Sequence, residues 1–268
     1  MYFKVSKKEF YNALSVASRA ISTFSPLPAF SGIKIDAKED CLILTGSDSD
    51  VSIQTKLTKS EECVLEIRDM GSIVIEAKYI LEIVRKIDAD EIEFEMIDGS
   101  LTKISGNTAE FRINGMRANE YPAIDFSKPK ECFALKEETL KKVILQTSFA
   151  TSDKETRPVL TGVNFHCEGN TLHCVATDSY RLAKKTIDIS ESLNFNITIP
   201  AKSLSEVVKT LEGEGEVEIA VNDKKAQFII HDTIVQTRLI DGVYPETSRL
   251  IPLQFDYELT IDSRDLLN

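Results

Sequence analysis

Residues 30–57, FSGIKIDAKEDCLILTGSDSDVSIQTKL, lie without a gap over residues 160–187, LTGVNFHCEGNTLHCVATDSYRLAKKTI, at an offset of 130. Gly32 falls on Gly162, Leu42 on Leu172, Asp48 on Asp178 and Ser49 on Ser179. The same offset holds upstream, where FKVSKKEFYNAL (3–14) meets FALKEETLKKVI (133–144). Downstream it slips to 124, as a short deletion causes, and IEAKYILEIVRKI (75–87) meets IPAKSLSEVVKTL (199–211). Tyr121-Pro122 meets Tyr244-Pro245 at an offset of 123. A fixed internal period means one supersecondary unit used repeatedly, here two units of about 125 residues, a usual domain size.

The end of the sequence begins the pattern again. In LTIDSRDLLN (259–268), Leu259, Ile261 and Leu266 keep the spacing of Phe3, Val5 and Phe10. A strand start and one helical turn bury no core of their own. The expected organisation is a first unit over 1–125, a second over 126–253 and the start of a third over 254–268, in a chain that is the first part of a three-unit protein.

Within each unit the periodicity reads strand, helix, strands, helix, strands. Phe10, Ala13, Leu14, Ala17 and Ile21 give a helix over about 7–21 one apolar stripe, and Leu140, Val143 and Ile144 give its copy another. Ile80, Ile83, Val84 and Ile87 make a second stripe, matched by Leu204, Val207, Val208 and Leu211. Strands alternate: Ile92, Phe94 and Met96 interleave with Glu91, Glu93 and Glu95. The fold class expected is α+β, each unit carrying two helices on one side of antiparallel sheet.

Composition narrows the function. With 42% apolar and 28% charged residues the chain reads as an ordinary globular protein, with no apolar run long enough to span a bilayer. Five scattered cysteines without a CxxC pair read as reduced thiols of a cytoplasmic protein. The net charge of −11 argues against a protein that coats nucleic acid over its whole surface. The charge is uneven, however. Over 6–21, 77–88, 136–146 and 201–212 there are 11 Lys/Arg against 7 Asp/Glu, a net +4, which leaves −15 for the rest. Either the helices form a basic face within an acidic protein, or they carry lysine on an ordinary wet surface.

The motifs give little support for catalysis. Asp48 and Asp50 form a D-x-D after an apolar run, which invites a magnesium or phosphoryl-transfer site. The second unit has Tyr180 in place of Asp50, so the pair is not repeated. The plainer reading is a turn in which the aspartate accepts backbone N–H groups. His166, His173 and His231 have no metal-binding spacing, no metal or cofactor is expected, and neither a GxSxG nor a phosphate loop occurs. Tyr180, Arg181 and Leu182 replace Asp50, Val51 and Ser52 in one unit only. An aromatic and an arginine are typical interface anchors, so this stretch reads as a docking site added to a repeated scaffold, or as drift between duplicates.

RPVLTGVNFHCEGNTLHCVATDSYRLA (157–183), LIDGVYPETSRLIP (239–252) and LTGSDSDVSI (44–53) together resemble the bacterial sliding clamp family, the beta subunit of the replicative DNA polymerase. The resemblance runs in order over the whole chain. It implies repeated clamp domains, three to a chain, two chains closing head to tail into a ring with helices lining the hole. It implies no catalysis by this chain. It implies double-stranded DNA as a partner, held by topology through contacts that carry no base information, with Lys78, Lys154, Arg157 and Lys202 facing the DNA. The replicative polymerase, the clamp loader and other factors are implied to dock through short apolar peptides. Carried over to this sequence, their pocket comprises Leu160, Thr177, Ser179, Tyr180, Arg181, Leu182, Pro245, Arg249 and Leu250, completed in the family by residues near its C-terminus. Unit one, with Asp50, Val51 and Ser52, is expected to have no counterpart for an apolar peptide. The homodimer contact implied on the first domain is EFRING, with Phe111 and Ile113 meeting the third domain of a second chain. With only the start of a third unit, the chain is expected not to close that ring. Phe24 stands where related clamps often carry an arginine, and Tyr180 where a histidine is common.

Overall fold

The structure is a computed structural model that describes residues 1–22, 27–247, 250–251 and 254–267. Unit one runs β1 (Tyr2–Ser6), α1 (Lys7–Ser18), β2 (Gly32–Ala37), β3 (Cys41–Ser47), β4 (Val51–Thr58), β5 (Leu65–Asp69), β6 (Gly71–Glu76), α2 (Ala77–Lys86), β7 (Glu91–Asp98), β8 (Leu101–Gly106), β9 (Ala109–Asn114) and the short β10 (Met116–Arg117). Unit two runs β11 (Glu131–Lys136), α3 (Glu137–Thr147), β12 (Gly162–Thr177), β13 (Leu182–Pro200), α4 (Ala201–Thr210), β14 (Glu216–Val221), β15 (Lys225–Ile230) and β16 (Thr233–Arg238). A short α5 (Ser263–Leu267) follows near the end.

The helices form where the stripes place them, because each stripe finds a sheet to cover it. Phe10, Leu14 and Ala17 of α1 and Ile80 and Val84 of α2 are buried in one core with Phe3 and Phe94. The Phe3 and Phe94 rings stack at 4.7 Å, and Phe10 meets Phe3 edge-on at 5.7 Å. α1 ends at Ser18 rather than near 21; Ala20 beyond it is buried in the core of unit two. In unit two Leu140, Val143 and Ile144 of α3 and Leu204 and Val207 of α4 fill the matching positions.

The strand register repeats with the sequence offsets. Ile33 pairs with Ile75 and Val163 with Ile199; Leu44 pairs with Thr55 and Cys174 with Lys185. Phe3 pairs with Phe94 and Phe133 with Ile219. The copies of β2 and β3 merge into the long β12, and those of β4 to β6 into β13, so unit two has fewer but longer strands.

Among the described residues, β5-β1-β7-β8-β9 form a five-stranded sheet, while β10-β6-β2-β3-β4-β16-β15-β14-β11 form a nine-stranded one. The nine-stranded sheet crosses the boundary between units. β16 of unit two pairs antiparallel with β4 of unit one, Val235 opposite Ile53. Val235, Ile53 and Val51 are buried at this joint. The two helix pairs also meet, since the Arg19 Nη1 donates to the Lys209 carbonyl at 2.7 Å.

Candidate docking and ring-contact surfaces

The turn between the last apolar strand residues and the following strand is built twice. Asp48 Oδ1 accepts the backbone N–H of Asp50 at 3.1 Å and of Val51 at 2.8 Å. Asp178 Oδ1 accepts those of Tyr180 at 2.9 Å and Arg181 at 3.0 Å. Ser47 Oγ and Thr177 Oγ1 each donate to the carbonyl four residues on and accept the N–H two residues on. The residues after the aspartates, Ser49 and Ser179, sit at φ 85° and 79°. The carboxylate that the turn requires is therefore the first aspartate alone. Asp48 Oδ2 faces Lys202 at 3.3 Å. Among the described residues no three His, Cys, Asp or Glu converge as metal ligands. Asp48→Ala is expected to lower stability by about 1–2 kcal/mol through two orphaned N–H groups, read from urea unfolding, and to leave magnesium titrations of the chain unchanged.

In unit two this turn carries chemistry that unit one lacks. The N–H groups of Arg181 and Tyr180 hold the Asp178 carboxyl below the usual carboxylate range. Its other oxygen takes Arg181 Nε at 3.0 Å, and the guanidinium lies over the Phe149 ring at 5.9 Å. Tyr180, fixed at the turn's apex, is 97% exposed, a ring with no partner among the described residues. Leu182 begins β13 and is half-buried. Leu160, in a 3-10 turn over Pro158–Thr161, is buried, as is Thr177. Thr177 N–H donates to the Tyr244 hydroxyl at 3.0 Å, which ties the Tyr244-Pro245 segment to the same turn. Burial raises the Tyr244 hydroxyl above its ordinary value.

Thr177, Ser179, Tyr180, Arg181 and Leu182 thus lie on one turn and the strand it opens, with Tyr244, next to Pro245, bonded to it. Leu250 is exposed and lies outside the buried clusters. Arg249 and Phe24 lie outside the described residues. Asp178, Tyr244 and Phe149 support the site and were not singled out for it from the sequence; the repeated Tyr-Pro dipeptide was the available signal for Tyr244.

Lys78 and Lys202 occupy the same helical position in the two units, near the starts of α2 and α4. Lys78 lies over the Tyr79 ring at 5.8 Å and Lys202 reaches Asp48. Lys154 and Arg157 are exposed in the loop after α3. Several other helix cations are paired within their own helices, Lys86 with Glu82 and Lys142 with Glu138 among them.

Phe111 and Ile113 lie on β9, the edge of the five-stranded sheet. Phe111 opposes Ile104 as Val235 opposes Phe228, so β9 is the unit-one copy of β16. Val235 is buried against β4, whereas Phe111 is 38% exposed.

Repeated α+β units joined edge to edge through shared sheet, with helices gathered in pairs, define a clamp of the kind that holds a polymerase to its template. Comparison with known proteins agrees. Residues 1–125 match the model of the N-terminal domain of the DNA polymerase III beta subunit, and residues 134–246 match that of its central domain. The beta sliding clamp of Bacillus subtilis is 38% identical, with all of this chain and 72% of that protein aligned. The crystal structure of the Bacillus subtilis clamp superposes with a TM-score of 0.92 at 36% identity, over 95% of this chain and 68% of that one. A Bartonella birtlesii clamp crystallised with griselimycin superposes with a TM-score of 0.86 at 27% identity, over 94% of this chain and 68% of that one. The chain belongs to the bacterial beta sliding clamp family. It is a DNA sliding clamp of the replicative polymerase, a processivity factor and not an enzyme.

Proposed function

We propose that the chain acts as part of a closed ring around duplex DNA, made of two three-unit chains joined head to tail. On this reading 1–125 and 126–253 are the first two clamp domains and 254–268 begins the third. The observation that carries it is the pairing of β16 with β4. In that joint one unit's last long strand docks on the β4 strand of the unit before it. β9 is the same strand in unit one, and its edge has no neighbour among the described residues. An open edge with an exposed aromatic is a template for another chain. Phe111 and Ile113 therefore meet the β4-like strand of a third domain in a second chain, and the contact recurs twice in a closed dimer.

Lys78, Lys154, Arg157 and Lys202 face the DNA in this reading. Long, exposed cations in front of phosphates give salt-dependent attraction without sequence preference, which suits sliding. The pocket around Leu160, Thr177, Ser179, Tyr180, Arg181, Leu182, Pro245, Arg249 and Leu250 receives short apolar peptides of the polymerase, the clamp loader and other factors in the cytoplasm. The turn supports this assignment, because Asp178 and Phe149 hold Arg181 in place and so lower the entropy lost on binding. The clamp of Bartonella birtlesii, which binds griselimycin, offers a ligand to test at this pocket. In the three-unit protein, Leu182→Ala or Arg181→Ala is expected to weaken a capped apolar peptide by ~1–3 kcal/mol, measured by fluorescence polarisation. Unchanged curves for both variants refute the assignment.

A further inference from the structure

A cavity of about 640 Å³ opens at the junction of the two units. Its unit-one wall includes Phe30, Ser47, Ser49, Asp50 and Ser52. At the offset of 130 these are the positions of Leu160, Thr177, Ser179, Tyr180 and Leu182. Pro122, which also lines it, is the counterpart of Pro245. The cavity is thus the unit-one copy of the pocket assigned in unit two. Its opposite wall comes from the end of β16 and the segment after it, with Arg238, Leu239 and Asp241. Among the described residues, both units contribute to its lining.

The chemistry of the copy differs. Phe30, Ile124 and Leu239 provide apolar surface. Where unit two presents the Tyr180 ring, unit one presents the exposed carboxylate of Asp50. Where unit two has Leu182, unit one has Ser52, whose hydroxyl is 2.8 Å from that of Ser47. Of the lining charges, Lys225 is held by Asp125, at 2.7 Å to its carbonyl and 3.3 Å to its carboxylate. Asp50, Asp223 and Asp241 then face Lys224 and Arg238, and none of those three carboxylates has an ion pair among the described residues. With Asp125 paired to Lys225, the one charge left on the unit-one wall is the Asp50 carboxylate, and the lining as a whole carries a net −1, from four Asp against two Lys and one Arg. An apolar hollow beside such a wall matches an apolar side chain next to a cation.

We propose that this cavity is a second peptide-docking site, taking a short extended segment in which one apolar side chain adjoins an arginine or lysine. Its ligand class rests on the peptide reading of the unit-two pocket, while its residues and its test are separate.

The test is calorimetric titration of the chain with two capped peptides, Ser-Arg-Leu-Phe-Ser and Ser-Glu-Leu-Phe-Ser. The arginine peptide is expected to bind saturably at one site through this cavity. Asp50→Lys, on an exposed turn apex, is expected to weaken it about fivefold or more, and Asp50→Lys with Asp241→Lys further, with unchanged thermal unfolding in both. Leu182→Ala is expected to leave this isotherm as it was. Binding lost through Leu182→Ala, alone or together with Asp50→Lys, overturns the proposal by placing the peptide in unit two. Absence of saturable binding by the arginine peptide overturns it as well. Failure of the unit-two assignment appears separately, as an apolar peptide indifferent to Leu182→Ala and Arg181→Ala in the three-unit protein.

Discussion

Val235→Asp is expected to lower the stability of the chain by about 4 kcal/mol or more, seen as a large fall in the urea midpoint. Val235 is fully buried opposite Ile53, in a core that also holds Ala20 and Val51 of unit one. A carboxylate there has no cation to pair with. It either stays charged at a high desolvation cost or binds a proton and leaves a polar group unbonded. Because the joint belongs to both units, the loss reaches both. Lys224→Asp on the neighbouring exposed turn serves as the control and is expected to leave the midpoint in place. A Val235→Asp chain with the parental midpoint contradicts the shared sheet.

Phe111→Asp has the second large effect, on association. In the proposed three-unit dimer it is expected to weaken each head-to-tail joint by ~2–4 kcal/mol, about 30- to 1,000-fold for each of the two joints that dissociation breaks. Phe111 stands on β9 where Val235 stands on β16, and the second is buried by a neighbouring unit. The new carboxylate lies on an exposed edge of the free chain, so thermal unfolding of the separated subunit is expected to change little. Analytical ultracentrifugation over a concentration series reads the outcome, and an unshifted monomer–dimer equilibrium removes Phe111 from the ring contact.

Much of this was legible in the sequence because the repeat constrains both units at once. The offsets of 130 and 124 carry Ile33 onto Val163 and Ile75 onto Ile199, and the structure pairs Ile33 with Ile75 and Val163 with Ile199. The D-x-D resolved in the same way, since a second carboxylate absent from the copy is not required by the fold, and Asp48 and Asp178 make the same backbone bonds. The nine-stranded sheet was not legible. Periodicity reports which side of a strand is buried, and it is silent on which strand lies along the edge. The helix boundary near 21 was overread for a related reason: Ala20 is apolar because it enters the other unit's core, not because α1 continues. The junction cavity has no signature in Asp50, Val51 and Ser52 taken alone. Part of its wall comes from unit two, and no local pattern joins residues around 50 to residues around 240.

The central claim, that this chain serves as a sliding clamp, is tested most directly by topology. The proposed three-unit protein is incubated with a clamp loader, ATP and nicked circular duplex, and retention is followed by gel filtration before and after the circle is cut. The account predicts that the protein stays with the circle, persists through a salt wash that disrupts phosphate contacts, and leaves when the DNA is linearised. Equal retention on circular and linear duplex, lost in both as salt is raised, would show ordinary electrostatic binding and contradict the account.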